Sequence, residues 1–270
     1  MIQRILIFFL FVLVWGQSKE SAFSQTTIGA RAIGAGQTSV AVAENQWALF
    51  SNPGLIPTKQ KHISFYGFRY TGITEITDFA TQASLPVGNG GAAVGFHRYG
   101  FDLFSETHLR AGYKHRVDRF HAGVALNFSH IQQGGDYGSA SAVGIHAGFA
   151  VRVIDQLWLG TRALNLNQPA YNGSDELLPE ELAIGLSFLP ANGIMISADA
   201  VKDVRFPLSL RTGAEAELMN GFVARTGFTT HPKTYSGGFG YNSERWQLNV
   251  AVQQHIPLGL SPALDLGIRF

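Results

Sequence analysis

The sequence predicts an all-β fold, a 14-stranded antiparallel transmembrane β-barrel, on the basis of three observations. Only 14% of the residues are charged, whereas ordinary soluble domains carry about 25%. After the first residues, no apolar run reaches the length of about 20 residues that a membrane helix needs. From about Lys61 to Phe270, apolar residues instead alternate with small or polar ones in segments separated by turns. Because side chains alternate across a strand, each segment has one apolar face, as a lipid-facing barrel wall requires.

The first 24 residues have the layout of a secretory signal peptide. Arg4 gives the start a positive charge, Ile5 to Trp15 is an unbroken apolar run, and Ala22 and Ser24 are the small residues before a cleavage site. We therefore expect residues 1–24 to be removed. A membrane anchor is the alternative, but the apolar run is shorter than the roughly 20 residues that span a bilayer.

The second face of the alternating segments favours a membrane barrel over a soluble β-sandwich. A sandwich turns this face to water and places Lys, Glu and Thr there. Here the second face is rich in glycine and alanine, with isolated arginines and acids, and the chain holds 31 glycines. In the last segment the two faces carry Leu264, Leu266, Ile268 and Phe270 on one side and Ala263, Asp265, Gly267 and Arg269 on the other. Such a face suits a crowded lumen.

Strand length and loop length together predict how the barrel is oriented. Strands of about ten residues fit fourteen times into residues 59–270, which we assign to the barrel. Their predicted centres are Phe65, Thr81, Val94, Ala111, Val124, Ala147, Gly160, Ile184, Ser197, Thr212, Ala224, Phe239, Asn249 and Leu266. Even-numbered connections are short and odd-numbered ones are mostly longer, as in outer-membrane barrels. We therefore expect the outer membrane of a Gram-negative bacterium, with both termini periplasmic.

The chain ends on an aromatic residue directly after an alternating strand. Leu264, Leu266, Ile268 and Phe270 resemble the terminal signal by which outer-membrane proteins reach the barrel-assembly machinery. We therefore expect this machinery and outer-membrane lipid as partners. The net charge of +1 gives no electrostatic reason to expect nucleic acid.

The glycine-rich segment from Gly29 to Leu55 does not fit a phosphate-binding loop. A Walker-type loop needs a lysine where Gln37 stands. A dinucleotide-binding loop needs a third glycine where Ser39 stands, within a βαβ unit that the surrounding sequence lacks. A disordered leader is also disfavoured, because Trp47 and Phe50 make the segment too apolar.

This segment resembles the N-terminal plug of the FadL-like outer-membrane β-barrels, which include fatty-acid transporters and the PorV and PorQ proteins of the type IX secretion system. The matching positions are Gly29, Ala30, Arg31, Ala32, Gly34, Gly36, Val40, Ala41, Ala43, Glu44, Ala48, Leu49, Phe50, Asn52, Pro53, Gly54 and Leu55. The alanine usual between the proline and the following glycine is missing, and Asn45 occupies a position that is often acidic. The family's barrel has 14 strands, which agrees with the count above.

The resemblance implies that residues 25–58 form a plug packed against the inner wall near the periplasmic mouth. The plug residues that we single out are Gly29, Arg31, Gly34, Gly36, Trp47, Phe50, Asn52, Pro53 and Gly54. We also predict a short helix from Glu44 to Phe50. Inward-facing glycines would let the two backbones approach closely. These glycines are Gly112, Gly123, Gly144, Gly148, Gly185, Gly213 and Gly227.

The alternation also directs charged residues into the lumen. The predicted set is Arg110, Arg152, Arg162, Asp199, Arg211, Glu215, Glu217, Arg225, Asp265 and Arg269. These residues could form an ion-pair network that holds a plugged lumen together, or a polar track for an anionic head group. The near balance of signs favours the network.

Neither catalysis nor metal binding is predicted. The chain has no cysteine, and His108, His115, His121, His130 and His146 are scattered without a spacing that imposes a nucleophile, base and orienting group. His97 and His231 lack a companion at metal-ligand spacing. We therefore expect a protein that is not an enzyme and has no cofactor.

The resemblance leaves functions of different classes open. The short chain and short loops favour a PorV- or PorQ-like accessory protein in protein secretion or envelope assembly, with a secretion translocon as partner. The alternative is FadL-like transport of hydrophobic, fatty-acid-like molecules, with such a molecule as ligand. A structural barrel with an occluded lumen is the third possibility.

Overall fold

The protein is a closed antiparallel barrel. The computed structural model describes residues 27–73, 75–134, 138–173, 175–255 and 259–270, so the predicted signal peptide lies outside the described residues. Within these ranges, fourteen strands each pair with their sequence neighbours, and β1 pairs with β14 to close the sheet. The predicted fold class is therefore confirmed.

Each strand contains the centre predicted for it. The strands are β1 (His62–Phe68), β2 (Thr77–Val87), β3 (Gly90–Phe101), β4 (Phe104–Val117), β5 (Phe120–Gln133), β6 (Ser139–Ile154), β7 (Leu157–Leu164), β8 (Glu181–Ala191), β9 (Ile194–Asp203), β10 (Ser209–Met219), β11 (Phe222–Thr229), β12 (Thr234–Asn242), β13 (Trp246–His255) and β14 (Gly259–Arg269). No helix among the described residues is long and apolar enough to cross a membrane.

Alternation along the strands separates a buried inner face from an exposed outer face. In β10, Arg211 and Glu215 are buried, whereas Leu210, Thr212 and Ala214 between and beside them are exposed. Exposed apolar side chains are stable on the outside because lipid, rather than water, covers this face. The inner face can carry charges because they find partners inside the barrel.

The two rims of the barrel differ in their connections. One rim, which we call the short-turn rim, consists of six short connections. They join β2 to β3, β4 to β5, β6 to β7, β8 to β9, β10 to β11 and β12 to β13. The opposite loop rim includes the longest connection, residues 165–180, although its β3–β4 connection has only residues 102–103. Three strand pairs shift register, and all three shifts lie next to short turns, at 152–154, 188–191 and 217–219.

Residues 27–58 lie inside the barrel, and we call them the plug. The plug contains helix α1 (Ala30–Gly34) and a 3₁₀ turn at Pro53–Leu55. The helix predicted from Glu44 to Phe50 is wrong, because consecutive turns form there. The Asn45 side chain accepts a hydrogen bond from the Trp47 backbone N–H at 3.0 Å, and such local bonds compete with helix formation.

The hydrophobic core of the molecule is the interface between plug and barrel. One apolar cluster joins Ile33, Trp47, Leu49, Phe50 and Ile56 of the plug to wall residues of several strands. The wall residues in this cluster are Tyr66, Phe68, Ala80, Ala93, Ala125, Ala150, Ala251 and Ala263. Small side chains predominate on the wall because the plug already fills the space.

Candidate functional site

Close backbone contact seats the plug against the wall. At Gly123, Gly213 and Gly227 an added side chain would overlap backbone atoms of Pro53, Ala35 and Gly36, respectively. All the glycines predicted to make room for the plug do contact it, except Gly144, which faces the Asn165 side chain instead. Glycine is therefore required on the wall where the two backbones touch.

Asp265 of β14 is the centre of one anchor. Its buried carboxylate accepts hydrogen bonds from the Gln46 amide at 2.8 Å, the Trp47 indole N–H at 3.3 Å and the Arg31 backbone N–H at 3.4 Å. Asn249 of β13 donates a further bond. One wall carboxylate thus binds two separate parts of the plug, the start of α1 and the Gln46–Trp47 turn.

Glu215 of β10 is the centre of a second anchor. The Arg31 guanidinium contacts its carboxylate at 3.1 Å, and the Arg225 guanidinium of β11 contacts the same oxygen at 2.7 Å. Both arginines are mostly buried. Buried ion pairs are strongly disrupted when one partner is removed, so this triad ties the plug to the wall.

Wall charges also bind groups of the plug backbone. The Asp199 carboxylate accepts bonds from the Ser39 and Val40 backbone N–H groups at 2.7 and 3.0 Å. The Arg211 guanidinium donates to the Thr27 hydroxyl at 3.0 Å and to the Gln37 carbonyl at 3.4 Å. Irregular backbone inside a barrel needs such partners because bulk water is excluded.

Two further arginines bind the second half of the plug. Arg110 donates to the Phe50 carbonyl at 3.3 Å, and its guanidinium lies 4.9 Å from the centre of the Phe50 ring. Arg162 donates to the Ser51 carbonyl at 3.0 Å and forms an ion pair with Glu181 of β8. Arg110 also donates a hydrogen bond through its Nε to the side-chain oxygen of Asn127, at 2.8 Å.

The predicted lumen charges therefore divide into two groups. Arg110, Arg162, Asp199, Arg211, Glu215, Arg225 and Asp265 are buried and contact the plug or a residue that holds it. Arg152, Glu217 and Arg269 do not; they lie near the short-turn rim. Arg152 is exposed and contacts Asp155 at 3.5 Å, Glu217 binds the Gly221 backbone N–H, and Arg269 donates to Ser243 and Gln247. In the described part of the chain, these three charges therefore take no part in holding the plug.

The Asn52-Pro53-Gly54 turn is a further link. The Asn52 amide donates to the Val40 carbonyl at 2.6 Å and to the Phe149 carbonyl of β6 at 3.2 Å, and its oxygen accepts from the Gly54 backbone N–H at 2.9 Å. Asn52 is fully buried. It therefore connects the two halves of the plug to each other and to the wall.

The remaining predicted residues are placed as follows. Gly29 has a φ of 106° and lies against the Trp47 ring, Gly34 faces Gly238 and Ala251, and the ring of Trp47 meets that of Tyr66 edge-on at 5.9 Å. Leu264 and Phe270 are exposed on the outer face, and Leu266 and Ile268 are half-exposed there. Recognition of these four residues by the assembly machinery stays a prediction. So does the periplasmic position of both termini, and the first described residue, Thr27, lies inside the barrel.

The structure brings together a cluster of histidines and carboxylates on the loop side of the plug, which the sequence does not predict. His97 and His108 stack with their ring centres 5.6 Å apart, His97 contacts Asp78 at 2.9 Å, and His108 contacts Glu106 at 3.2 Å. The spacing of His97 and His108 along the sequence gives no sign of this contact. Only two residues join β3 to β4, so this hairpin is tight. Its register pairs Phe101 with Phe104 and, further along the strands, His97 with His108.

Aromatic side chains extend this cluster. Phe50 of the plug lies 6.3 Å from the His97 ring, and Tyr70 contacts Phe68 and Tyr99 with ring centres 4.7 and 5.8 Å apart. The Tyr70 hydroxyl donates to Asp78 at 3.3 Å. A row of rings therefore leads from the loop rim to the plug.

The long connection of residues 165–180 covers part of the same region. The Tyr171 hydroxyl donates to the Glu106 carboxylate at 3.3 Å, and Tyr171 and Leu178 form a small apolar cluster with Ala142 of β6. Burial, reinforced by the negative charge of Glu106, raises the pKa of Tyr171 well above its ordinary value. Tyr171 therefore remains a donor at physiological pH.

Ser129, His108 and Glu106 form a hydrogen-bonded row that has the residue types of a hydrolase site. His108 Nδ1 lies 2.9 Å from the Ser129 hydroxyl, and His108 Nε2 faces Glu106. Ser129 is fully buried, however, and its hydroxyl also accepts a bond from Asn127 at 2.7 Å. A nucleophile must reach its substrate, so this row is a structural link between β4 and β5. No group of three metal-binding side chains occurs in the described part of the chain.

Solved structures with the same fold include known transport channels. The chain matches the CymD monoaromatic hydrocarbon channel with a TM-score of 0.71 at 11% identity, over 92% of this chain and 99% of that chain. It matches the Pseudomonas putida toluene transporter TodX with 0.65 at 11%, over 92% and 98%. It matches a Pseudomonas aeruginosa FadL homologue with 0.63 at 12%, over 93% and 99%. No protein-family model and no curated protein matches. The likeness shows that this chain shares the barrel fold of these proteins.

Proposed function

We propose that the protein is a channel for hydrophobic small molecules, in which movement of the plug opens a path through the barrel. One observation carries this proposal, the apolar cluster that runs through the lumen between plug and wall. A porin that passes polar solutes keeps a polar, water-filled interior. Here an apolar cluster lies between plug and wall, and six buried wall charges, Arg110, Arg162, Asp199, Arg211, Glu215 and Asp265, bind the plug.

The row of rings on the loop side provides an entry for such molecules. Tyr99, Tyr70 and Phe68 are in contact, and Phe68 belongs to the same apolar cluster as Phe50 of the plug. Aromatic rings bind hydrophobic and aromatic molecules with little conformational cost. A molecule entering at the loop rim would therefore meet apolar surface until it reaches the plug.

The neighbouring structures support this proposal over a role in secretion. They are a monoaromatic hydrocarbon channel, a toluene transporter and a FadL homologue. Transport of hydrophobic molecules, the alternative that the sequence leaves open, is therefore the leading proposal. A PorV- or PorQ-like accessory role is the second candidate, favoured by short loops such as residues 102–103.

Uptake measurements separate these two functions. Cells without FadL-type transporters of their own, carrying the protein in the outer membrane, should take up radiolabelled toluene or oleate with saturation. Cells that carry an empty vector are the control. Uptake no faster than in the control, at verified outer-membrane levels, would contradict the channel. Co-purification of a secretion translocon or its cargo in that case would support the accessory role.

A further inference from the structure

A broad groove crosses the outer wall of the barrel. Its volume is about 980 Å³, and it runs over β1, β2 and β11 to β14. Its position on the outside follows from its lining, because Phe79, Phe239, Val252 and Leu264 are exposed side chains of the outer face. The groove therefore faces the bilayer.

Small residues between large ones create the groove. Gly67, Ala224 and Gly237 lie on the outer face of their strands, between the bulky side chains of Phe79, Leu264 and Phe239. A side chain added at Gly67 would meet nothing within 4 Å. One continuous row of paired positions crosses six strands. It consists of Phe79, Gly67, Leu264, Val250, Phe239 and Ala224. The groove follows this row across the wall.

Two arginines lie at the loop-rim end of the groove. Arg69 follows the last residue of β1 and lines the groove, and Arg98 of β3 pairs directly opposite Phe79. Both arginines are exposed on the outer face. Within the described ranges, no carboxylate lies within ion-pair distance of either guanidinium. Cations at a membrane surface attract anionic lipid head groups.

A second, smaller groove on the outer wall also has a cation near the loop rim, but the charge of that cation is already bound within the protein. It has a volume of about 520 Å³, lies over β6 to β9, and includes Lys202 near the loop rim. The Lys202 ammonium donates to the Asp203 and Phe206 carbonyls at 2.8 and 2.5 Å. Its charge is therefore already bound, whereas Arg69 and Arg98 have no such partners among the residues that the structure describes.

We propose that the larger groove binds a phosphate-bearing lipid of the outer leaflet, namely lipid A. The arginines would bind its phosphates, and the groove would hold one or more acyl chains. Lipid A rather than an inner-leaflet phospholipid is inferred because both arginines lie at the loop rim, which faces outward in barrels with this asymmetry. The inference is independent of the transported molecule.

Native mass spectrometry of the full mature protein in mild detergent tests this proposal. Lipid A should remain bound at lower concentrations than phosphatidylcholine, which carries no net charge. Arg69→Gln and Arg98→Gln should each weaken lipid A binding about fivefold. Gly67→Leu should also weaken it by occupying the groove. Lys202→Gln is the matched control, because this cation lies at the second groove, and this variant should bind as the parent does.

Three results would overturn the proposal. One is equal retention of lipid A and phosphatidylcholine. Another is binding that none of the groove variants weakens, measured on variants whose folding is verified by their gel mobility before and after heating. Phosphatidylglycerol bound as tightly as lipid A would overturn the assignment to the outer leaflet.

Discussion

The Gln46 side-chain amide lies 2.8 Å from the Asp265 carboxylate and donates a hydrogen bond to it. The bond joins the plug, which precedes the first strand, to the last strand of the barrel. Both residues are almost completely buried. The barrel and its plug are therefore a single folded unit, in which the last strand completes the seat of the plug.

Replacing Asp265 tests this anchor. Asp265→Asn removes the charge and turns an amide N–H₂ toward donors, so the free energy of unfolding should fall by about 1.5–3 kcal/mol. The measurement is a urea titration in detergent followed by tryptophan fluorescence. Asp155→Asn is the control, because that side chain is 85% exposed, and it should change stability by less than about 0.5 kcal/mol. Equal midpoints for the two variants would contradict the role of the anchor.

The contact between Gly227 and Gly36 gives a second prediction. Gly227→Val should displace the plug, because the added side chain overlaps the Gly36 backbone and such overpacking costs about 1–3 kcal/mol. A cysteine introduced by Ser39→Cys, at a buried position of a chain without cysteines, reports the displacement. Its labelling by a water-soluble maleimide should become at least about fivefold faster.

Gly67→Val is the matched control for this experiment. It introduces the same side chain on the same barrel, but into open space on the outer face. Labelling of the reporter cysteine should stay at the parent rate. A Gly227→Val variant that labels no faster than Gly67→Val would show that the close approach does not hold the plug.

The loop of residues 165–180 should loosen when its hydrogen bond to the wall is removed. Tyr171→Phe deletes the bond to Glu106 and leaves a partly exposed carboxylate with one donor fewer, at a cost of about 1 kcal/mol. Limited proteolysis should therefore cut this loop faster in the variant, while the short turns on the opposite rim stay resistant. Unchanged cleavage would show that the apolar contacts of Leu178 alone hold the loop.

A titration of tyrosine absorbance checks the environment of Tyr171. Burial and the charge of Glu106 raise the pKa of Tyr171 in the folded protein. The stabilising hydrogen bond from Tyr171 to Glu106 is therefore fully present below the ordinary tyrosine pKa of about 10. It is lost only as the pH rises through the higher pKa of the folded protein. Subtracting the curve of Tyr171→Phe from that of the parent should reveal one tyrosine that ionises above pH 10. A difference curve centred at or below pH 10 would place Tyr171 in water.

The sequence predicts the wall of the barrel far better than its contents. The direction of Arg211 or Asp265 follows from alternation, which is a local property of a strand. Whether Arg152 and Arg269 meet the plug depends on how far the plug extends along the axis, which no local pattern contains. Likewise, the turns around Asn45 replace the predicted helix because contacts with the wall and a local side-chain bond outweigh helix propensity.

The contact of His97 with His108 can be predicted from the sequence only in part. Alternation places both side chains in the lumen, but their contact depends on the register of the β3–β4 hairpin, which the length of the connection fixes. The fold of the loop that brings Tyr171 to Glu106 depends on contacts 65 residues apart in the chain. Such contacts arise only when the barrel closes.

Locking the plug to the wall tests the central claim that transport requires plug movement. In Gly34→Cys/Ala251→Cys the two Cβ atoms would lie 3.3 Å apart, close to the separation of about 3.5–4.5 Å in disulfides. The control Val124→Cys/Ala147→Cys links two outward-facing neighbours of the wall. We predict that the oxidised plug variant takes up toluene and oleate no faster than cells without the protein, that a reductant restores uptake, and that the control transports in both states. Uptake at the full rate through the oxidised plug variant would contradict the account.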